Sequence, residues 1–299
     1  MKCFDIQVNG GFGVDFSAPE LTESDFLRAV DSILKTGVTR FLPTIITSSM
    51  ETYRKRLPML VKAIDHAGLK YEVPGFHLEG PFISPEPGAV GAHNPAYVLE
   101  PTVERLRELH ELADGRIAIM TFAAEANGAA ETIREAHKLG IAASLGHHLA
   151  NSEQIAAAGA DSLTHLGNGI PNMINRHHNA IWSGLANDSL TALIITDGHH
   201  LPAEVIKCMI RVKGPERIVI TSDASPAAGL PPGRYNVLGN DAILEENGKL
   251  HNPVKQCLVG SAMLMPRCIE FLRSLNLLSD AELEQVCWTN PHRLTNIAE

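Results

Sequence analysis

Two side chains able to ligate or to move a proton sit in one short stretch, Gly75-Phe76-His77-Leu78-Glu79-Gly80-Pro81-Phe82. A mostly apolar run enters it from Tyr71 and a Gly-Pro pair leaves it, the pattern of a buried strand ending in a turn. His77 and Glu79 are two residues apart, so on a strand they project from the same face. A carboxylate at the end of a buried strand is costly unless a cation neutralises it. A Lys or Arg partner would make Glu79 a structural acid; a metal ion would make it a ligand.

Other apolar runs end in the same way. His147 follows Ile141–Gly146, His165 follows Ser162–Thr164, and Asp223 follows Arg217–Ser222. His200 lies just past Thr191–Thr196, and Gln7 and Asn9 lie on Cys3–Asn9. Glu79 with His147 and His165 gives one carboxylate and two imidazoles, the donor set of a catalytic Zn²⁺ or similar divalent ion with one position left open. Such an ion lowers the pKa of its water towards about 7 and polarises a carbonyl. Asp223 is then the group to take the proton and pass it to a leaving group. Each residue alone has a plain structural explanation, but as a set they would cost several kcal/mol if buried unpaired. A serine nucleophile is the rival reading, with Ser222 beside Asp223 or Ser144 near His147. Neither lies in a Gly-x-Ser-x-Gly turn.

The elements that must position these groups alternate along the chain. Strands are expected at 3–9, 40–46, 75–79, 116–122, 141–146, 162–164, 191–196 and 217–222. Helices are expected at 22–35, from Ser48 or Ser49 with a kink at Pro58, and at 102–113, 129–138 and 152–158. Further helices follow Pro202 and span 261–275 and 280–288. Eight strands with crossover helices match a closed (β/α)8 barrel better than an open doubly wound sheet, because the Gly11-Phe12-Gly13 turn does not lead into a helix. In such a barrel the C-terminal strand ends share one mouth, where the chemistry sits. Residues 230–251 break the alternation and read as an antiparallel ribbon inserted after strand eight of a single-domain chain, 1–299.

Composition narrows the function classes. The chain has 299 residues, 44% hydrophobic and 20% charged, with net charge −9 and pI about 5.9, and it has no basic run. Nucleic acid and anionic membrane surfaces are therefore poor partners. The five cysteines form no CxxC pair, which fits reduced thiols in the cytoplasm. The start, MKCFDIQVNGG, lacks a signal-peptide pattern, and no run approaches the roughly 20 apolar residues of a membrane span. Fourteen histidines is the compositional anomaly, and several follow apolar runs.

These residues resemble the N-acetylglucosamine-6-phosphate deacetylases of the amidohydrolase superfamily. The resemblance rests on GFHLEGPF at 75–82 with His93-Asn94-Pro95, on Asp5-Ile6-Gln7-Val8-Asn9-Gly10-Gly11, and on Leu145-Gly146-His147. It continues through Thr164-His165-Leu166-Gly167-Asn168, Asp197-Gly198-His199-His200, Thr221-Ser222-Asp223-Ala224 and Gly260-Ser261-Ala262. It implies that Glu79, His147 and His165 hold one divalent metal, with zinc first and Fe, Mn or Co also accepted by this donor set. It implies that Asp223 is the general acid/base, and that Gln7-x-Asn9 stands at a vestigial second metal position. It also implies that His93 and His200 contact the sugar, and that Asn168, the Gly169 backbone and Arg176 meet the phosphate. Arg176 would reach across from a neighbouring copy in a homodimer. The expected activity is metal-dependent removal of the acetyl group from an N-acetylated amino sugar phosphate. The alternatives are the same chemistry on another N-acyl sugar or cyclic amide, and a non-catalytic barrel that binds a sugar phosphate.

Two departures from the family pattern stand out. Its small β-sandwich has no counterpart in the sequence, so the barrel bottom is expected to be covered differently. Where the family follows its Arg with Pro-Gly, this chain reads Arg176-His177-His178-Asn179. His177 and His178 are expected to be exposed loop residues, with new ligand contacts as the alternative. His77 shares the strand face with Glu79 and has no assigned role; support of the ligands from behind is one reading of it.

Overall fold

The computed structural model describes residues 1–299. Its core is a sheet of eight parallel strands in chain order: β1 (Phe4–Val8), β2 (Arg40–Ile46), β3 (Phe76–Glu79), β4 (Ile117–Phe122), β5 (Ala142–Leu145), β6 (Ser162–Leu163), β7 (Thr191–Ile195) and β8 (Ile218–Thr221). Every residue of these strands is buried, as a barrel wrapped in helices requires. The helices are α1 (Glu23–Lys35), α2 (Met50–Ala67), α3 (Val103–Leu112), α4 (Ala129–Lys138), α5 (Ser152–Ala158), α6 (Ala180–Ala186), α7 (Ala203–Lys213) and α8 (Met265–Ser274).

Local sequence explains the helix ends. Thr22 caps α1 by accepting from the Asp25 amide, and Phe26, Ala29, Val30 and Ile33 form the buried stripe behind it. Ser49 caps α2, which continues through Pro58 to a left-handed cap at Gly68, so the expected kink does not interrupt the helix. Helix α6, absent from the sequence-based expectation, starts where the Asn179 side chain accepts from the Ile181 and Trp182 amides. No helix is long and apolar enough to cross a membrane.

The barrel closes by a different device from the rest of the sheet. β1 and β8 share no ladder; one bridge, Val8 to Ala224, joins them, with Asn9 N–H donating to Ala224 O at 2.7 Å. Side chains stitch the remaining seam. The wholly buried Asp5 carboxylate accepts from the Thr221 hydroxyl at 2.8 Å, the Ser222 amide at 3.1 Å and the Ser222 hydroxyl. Asp223 follows directly.

The lower end is packed by a separate apolar cluster that includes Phe4, Leu42, Ile119, Leu193 and Val219 from strand starts, together with Trp288. Leu294 and Ile297 pack beneath them, so the π turn that carries Trp288, which follows α9 (Asp280–Glu284), and α10 (Asn290–Thr295) cover the barrel bottom. Above the mouth, the segment expected as a ribbon is a four-stranded antiparallel sheet reaching residue 258. Its strands are β9 (Gly233–Val237), β10 (Asn240–Leu244), β11 (Leu250–Asn252) and β12 (Cys257–Leu258). It has its own small core of Val237, Ala242, Leu244 and Leu250, against which Ala92 packs.

Candidate active site

Glu79 ends β3 beside Ile46 of β2 and Thr121 of β4, and it is 3% exposed. Its Oε1 lies 2.8 Å from His165 Nε2, 3.2 Å from His147 Nε2 and 2.9 Å from the Gln7 amide nitrogen. His147 Nε2 is also 3.1 Å from His165 Nε2 and 3.2 Å from His93 Nε2. The structure therefore draws the three expected ligands into one buried knot and adds His93 to it. Burial raises the Glu79 pKa, but the His147 and His165 rings beside it outweigh that and hold the carboxyl well below its usual range.

Two triplets share Glu79 and His147: one takes His165 as the third member and the other His93, whose donor atoms with those of Glu79 and His147 fall within 4.8 Å of one another. The tautomers separate them. His147 Nδ1 donates to Ala89 O at 2.7 Å, so in the neutral ring the Nε2 lone pair faces the Glu79 carboxylate. Two acceptors 3.2 Å apart repel, and a cation between them removes the repulsion. His93 Nδ1 instead accepts from the Thr47 amide at 3.3 Å, which puts the proton on Nε2 and makes that atom a donor. His165 Nδ1 is buried without a partner. The donor chemistry thus fits a divalent ion at Glu79, His147 and His165, with His93 beside it.

Asp223 faces this knot across the mouth. Its Oδ1 accepts from Asn9 Nδ2 at 2.7 Å and Gln7 Nε2 at 3.1 Å, and its Oδ2 lies 4.0 Å from His200 Nε2. Burial, and then the Glu79 charge, push its pKa up to about 7. His200 Nδ1 donates to Asp197 at 2.7 Å, and Ser261 fixes the same carboxylate oxygen at 2.8 Å. Of Gln7 and Asn9, expected at a vestigial metal position, Gln7 bridges Glu79 and Asp223 through its amide nitrogen, and Asn9 donates to Asp223 alone. Their amide oxygens, buried, lack partners.

His77 turns away from the knot. Its Nδ1 donates to Ile6 O at 3.0 Å and its Nε2 meets Thr121 Oγ1 at 2.9 Å. Thr121 is in turn 2.9 Å from Thr164 Oγ1, which donates to Ser144 Oγ at 2.7 Å. This buried polar chain crosses four strands under the site.

The backbone carries a signal that sequence alone does not show. His147, His165 and Asp223 have φ of 51°, 30° and 53°, in the left-handed region that residues with a Cβ seldom occupy. A sharp reversal at each strand end aims the side chain over the barrel axis. The His147 ring lies between Gly91 and Gly169; a Cβ on Gly169 would stand 2.8 Å from His147 Nδ1. Sequence reasoning gave Gly169 a backbone role only and passed over Gly91.

The mouth opens into a cavity of about 800 Å³ whose lining includes Asn9, His93, Asn168, Gly169, His200 and Lys255. Asn168 donates to His165 O at 3.2 Å. Arg176, His177 and His178 are exposed, and none of the three lines the cavity of the single chain.

A scan against protein-family models finds no match. Curated relatives do match. The N-acetylglucosamine-6-phosphate deacetylase of Bos taurus is 35% identical over 296 residues, covering 94% of this chain and 70% of the relative. The N-acetylgalactosamine-6-phosphate deacetylase of Escherichia coli O157:H7 is 29% identical over 299 residues, covering 98% and 77%. Among solved structures, a variant of N-acetyl-D-glucosamine-6-phosphate deacetylase from Mycobacterium smegmatis, in complex with N-acetyl-D-glucosamine-6-phosphate, superposes with a TM-score of 0.88 at 26% identity. It covers 98% of this chain and 77% of that one.

Proposed function

Because the chain belongs to the N-acetylglucosamine-6-phosphate deacetylase family, we propose that it hydrolyses the acetamide of an N-acetylated amino sugar phosphate, releasing acetate and the free amine. The observation that carries this is the convergence of Glu79, His147 and His165 opposite a single buried acid, Asp223, at the end of β8. Glu79, His147 and His165 would hold one divalent ion, and two imidazoles with a carboxylate favour zinc. When bound, that ion supplies Lewis acidity to the acetyl carbonyl and lowers the pKa of water beside it.

The chain's own residues do the rest. Asn9 and Gln7 occupy Asp223 Oδ1, so Oδ2 is the oxygen free to accept the proton of the attacking water. A carboxyl raised towards neutrality both takes that proton and surrenders it to the departing nitrogen. His93, with its proton on Nε2, donates to the acetyl or sugar oxygens. His200, anchored through Asp197, orients the sugar beside Asp223. Asn168 and Gly169 lie on the wall assigned to the phosphate.

The same reading makes the protein a cytoplasmic homodimer. Arg176 is flanked by exposed Met173, Ile174 and Trp182, apolar surface that a second copy would cover.

The test is Asp223→Asn in metal-loaded protein. Turnover of the acetylated sugar phosphate should fall by about 10²–10⁴-fold with metal content unchanged. Turnover near that of the parent would overturn the assignment.

A further inference from the structure

Among all the residues lining the cavity, Lys255 is the only Lys or Arg. It sits in the turn between β11 and β12, and both ends of the residue are held by buried asparagines. At the backbone, Asn252 (5% exposed) accepts through Oδ1 from the Val254 and Lys255 amides at 2.9 and 3.0 Å. At the tip, Lys255 Nζ donates to Asn240 Oδ1 at 2.6 Å. Asn240 (3% exposed) is itself pinned, because its Nδ2 donates to Ala92 O and Leu238 O, each at 2.9 Å. The ammonium is thereby tied to the loop that presents His93, and no carboxylate pairs with it.

An uncommitted ammonium is usually free to swing in water, and fixing it costs up to about 2 kcal/mol of side-chain entropy. Here that cost is met before any ligand arrives. The two acids of the cavity, Glu79 and Asp223, are engaged with histidines and amides, leaving the Lys255 charge unmatched. A ligand with an anionic group would complete it.

Resting on the reading that the substrate is a sugar phosphate, we infer that Lys255 recognises the substrate's phosphate from within the same chain and sets the preference for phosphorylated over neutral N-acetyl amino sugars. The antiparallel sheet above the mouth then acts as a specificity element, with the chemistry left to the strand ends.

The experiment uses metal-loaded protein, Lys255→Met and Lys255→Arg. Binding of inorganic phosphate is measured by calorimetry, and kcat and KM are measured on an N-acetyl amino sugar 6-phosphate and on its unphosphorylated counterpart. Lys255→Met should weaken phosphate binding and raise KM for the phosphorylated sugar by about tenfold or more, the scale of one lost charged hydrogen bond. It should leave kcat and the unphosphorylated substrate within about twofold, and Lys255→Arg should restore most of the loss. Unchanged phosphate binding in Lys255→Met, or an equal loss on both sugars, overturns the inference. Failure of the parent protein to deacetylate either sugar would overturn the functional reading instead, and the phosphate titration would still decide the role of Lys255.

Discussion

The two ends of the barrel are built from the same strands and obey opposite rules. At the strand starts, Phe4, Leu42, Ile119, Leu193 and Val219 form an apolar cluster with Trp288, and the two buried ionisable groups beside it, Arg40 and His292, bond each other at 2.7 Å against the Trp288 ring. At the strand ends, Glu79, His147, His165 and Asp223 are also buried and are held by polar contacts. The lower end gains from hiding surface from water; the upper end loses solvation and recovers it only through partners. Stability and chemistry are thus assigned to separate layers about one strand length apart, and a few variants ask whether the separation is real.

The largest effect expected is at the top. Stripping metal with a chelator should abolish hydrolysis, and Asp223→Asn should lower kcat by about 10²–10⁴-fold, both with little change in thermal midpoint beyond the loss of bound ion. A large drop in midpoint for Asp223→Asn would mean that this layer also carries the fold. At the bottom the reverse is expected: Leu193→Ala, at a position wholly buried, should cost about 2–5 kcal/mol in denaturant unfolding while kcat per folded molecule stays put. Asp5 spans the two. Asp5→Ala leaves the Thr221 and Ser222 hydroxyls and the Ser222 amide without their acceptor, so stability should fall by about 2–4 kcal/mol and kcat should fall with it. Loss of stability with full activity would free Asp223 from the seam. The smallest effect tests where the boundary lies. Thr121→Val cuts the chain from His77 to Thr164 and should cost about 1–2 kcal/mol, with KM unchanged.

The lower layer was the easier of the two to read from sequence. Apolar runs located the strands, β2 to the residue, and α4 and α5 fall on the stretches expected for them. Several strands came out a residue or two shorter than expected, because the chain leaves the sheet as it turns to present His147, His165 and Asp223. Nothing in the identity of a His or an Asp announces a left-handed backbone. The same limit applies to α6, a short helix with exposed Trp182 and an internal Gly184, whose only cue was Asn179 as a cap. At the site, strand-end spacing brought Glu79, His147, His165 and Asp223 together in advance. His93 and Lys255 were beyond that logic, since both come from loops whose position depends on the antiparallel sheet. A lysine in a turn looks like any solvated lysine until Asn240 is seen beneath it.

The left-handed φ values at His147, His165 and Asp223 also bear on how this chain would change once its chemistry was no longer selected. A non-glycine residue held there costs on the order of 1–3 kcal/mol, and glycine adopts the same conformation almost freely. His147→Gly, His165→Gly and Asp223→Gly would each remove a group to which we have proposed a reacting or ligating role and relieve backbone strain in one step. Ordinary decay of an enzyme is a drift against stability; here the backbone contribution runs the other way. A duplicated copy freed from its reaction would be drawn towards glycine at these three positions, and retained His, His and Asp in a descendant would mark a lineage in which the reaction is still in use.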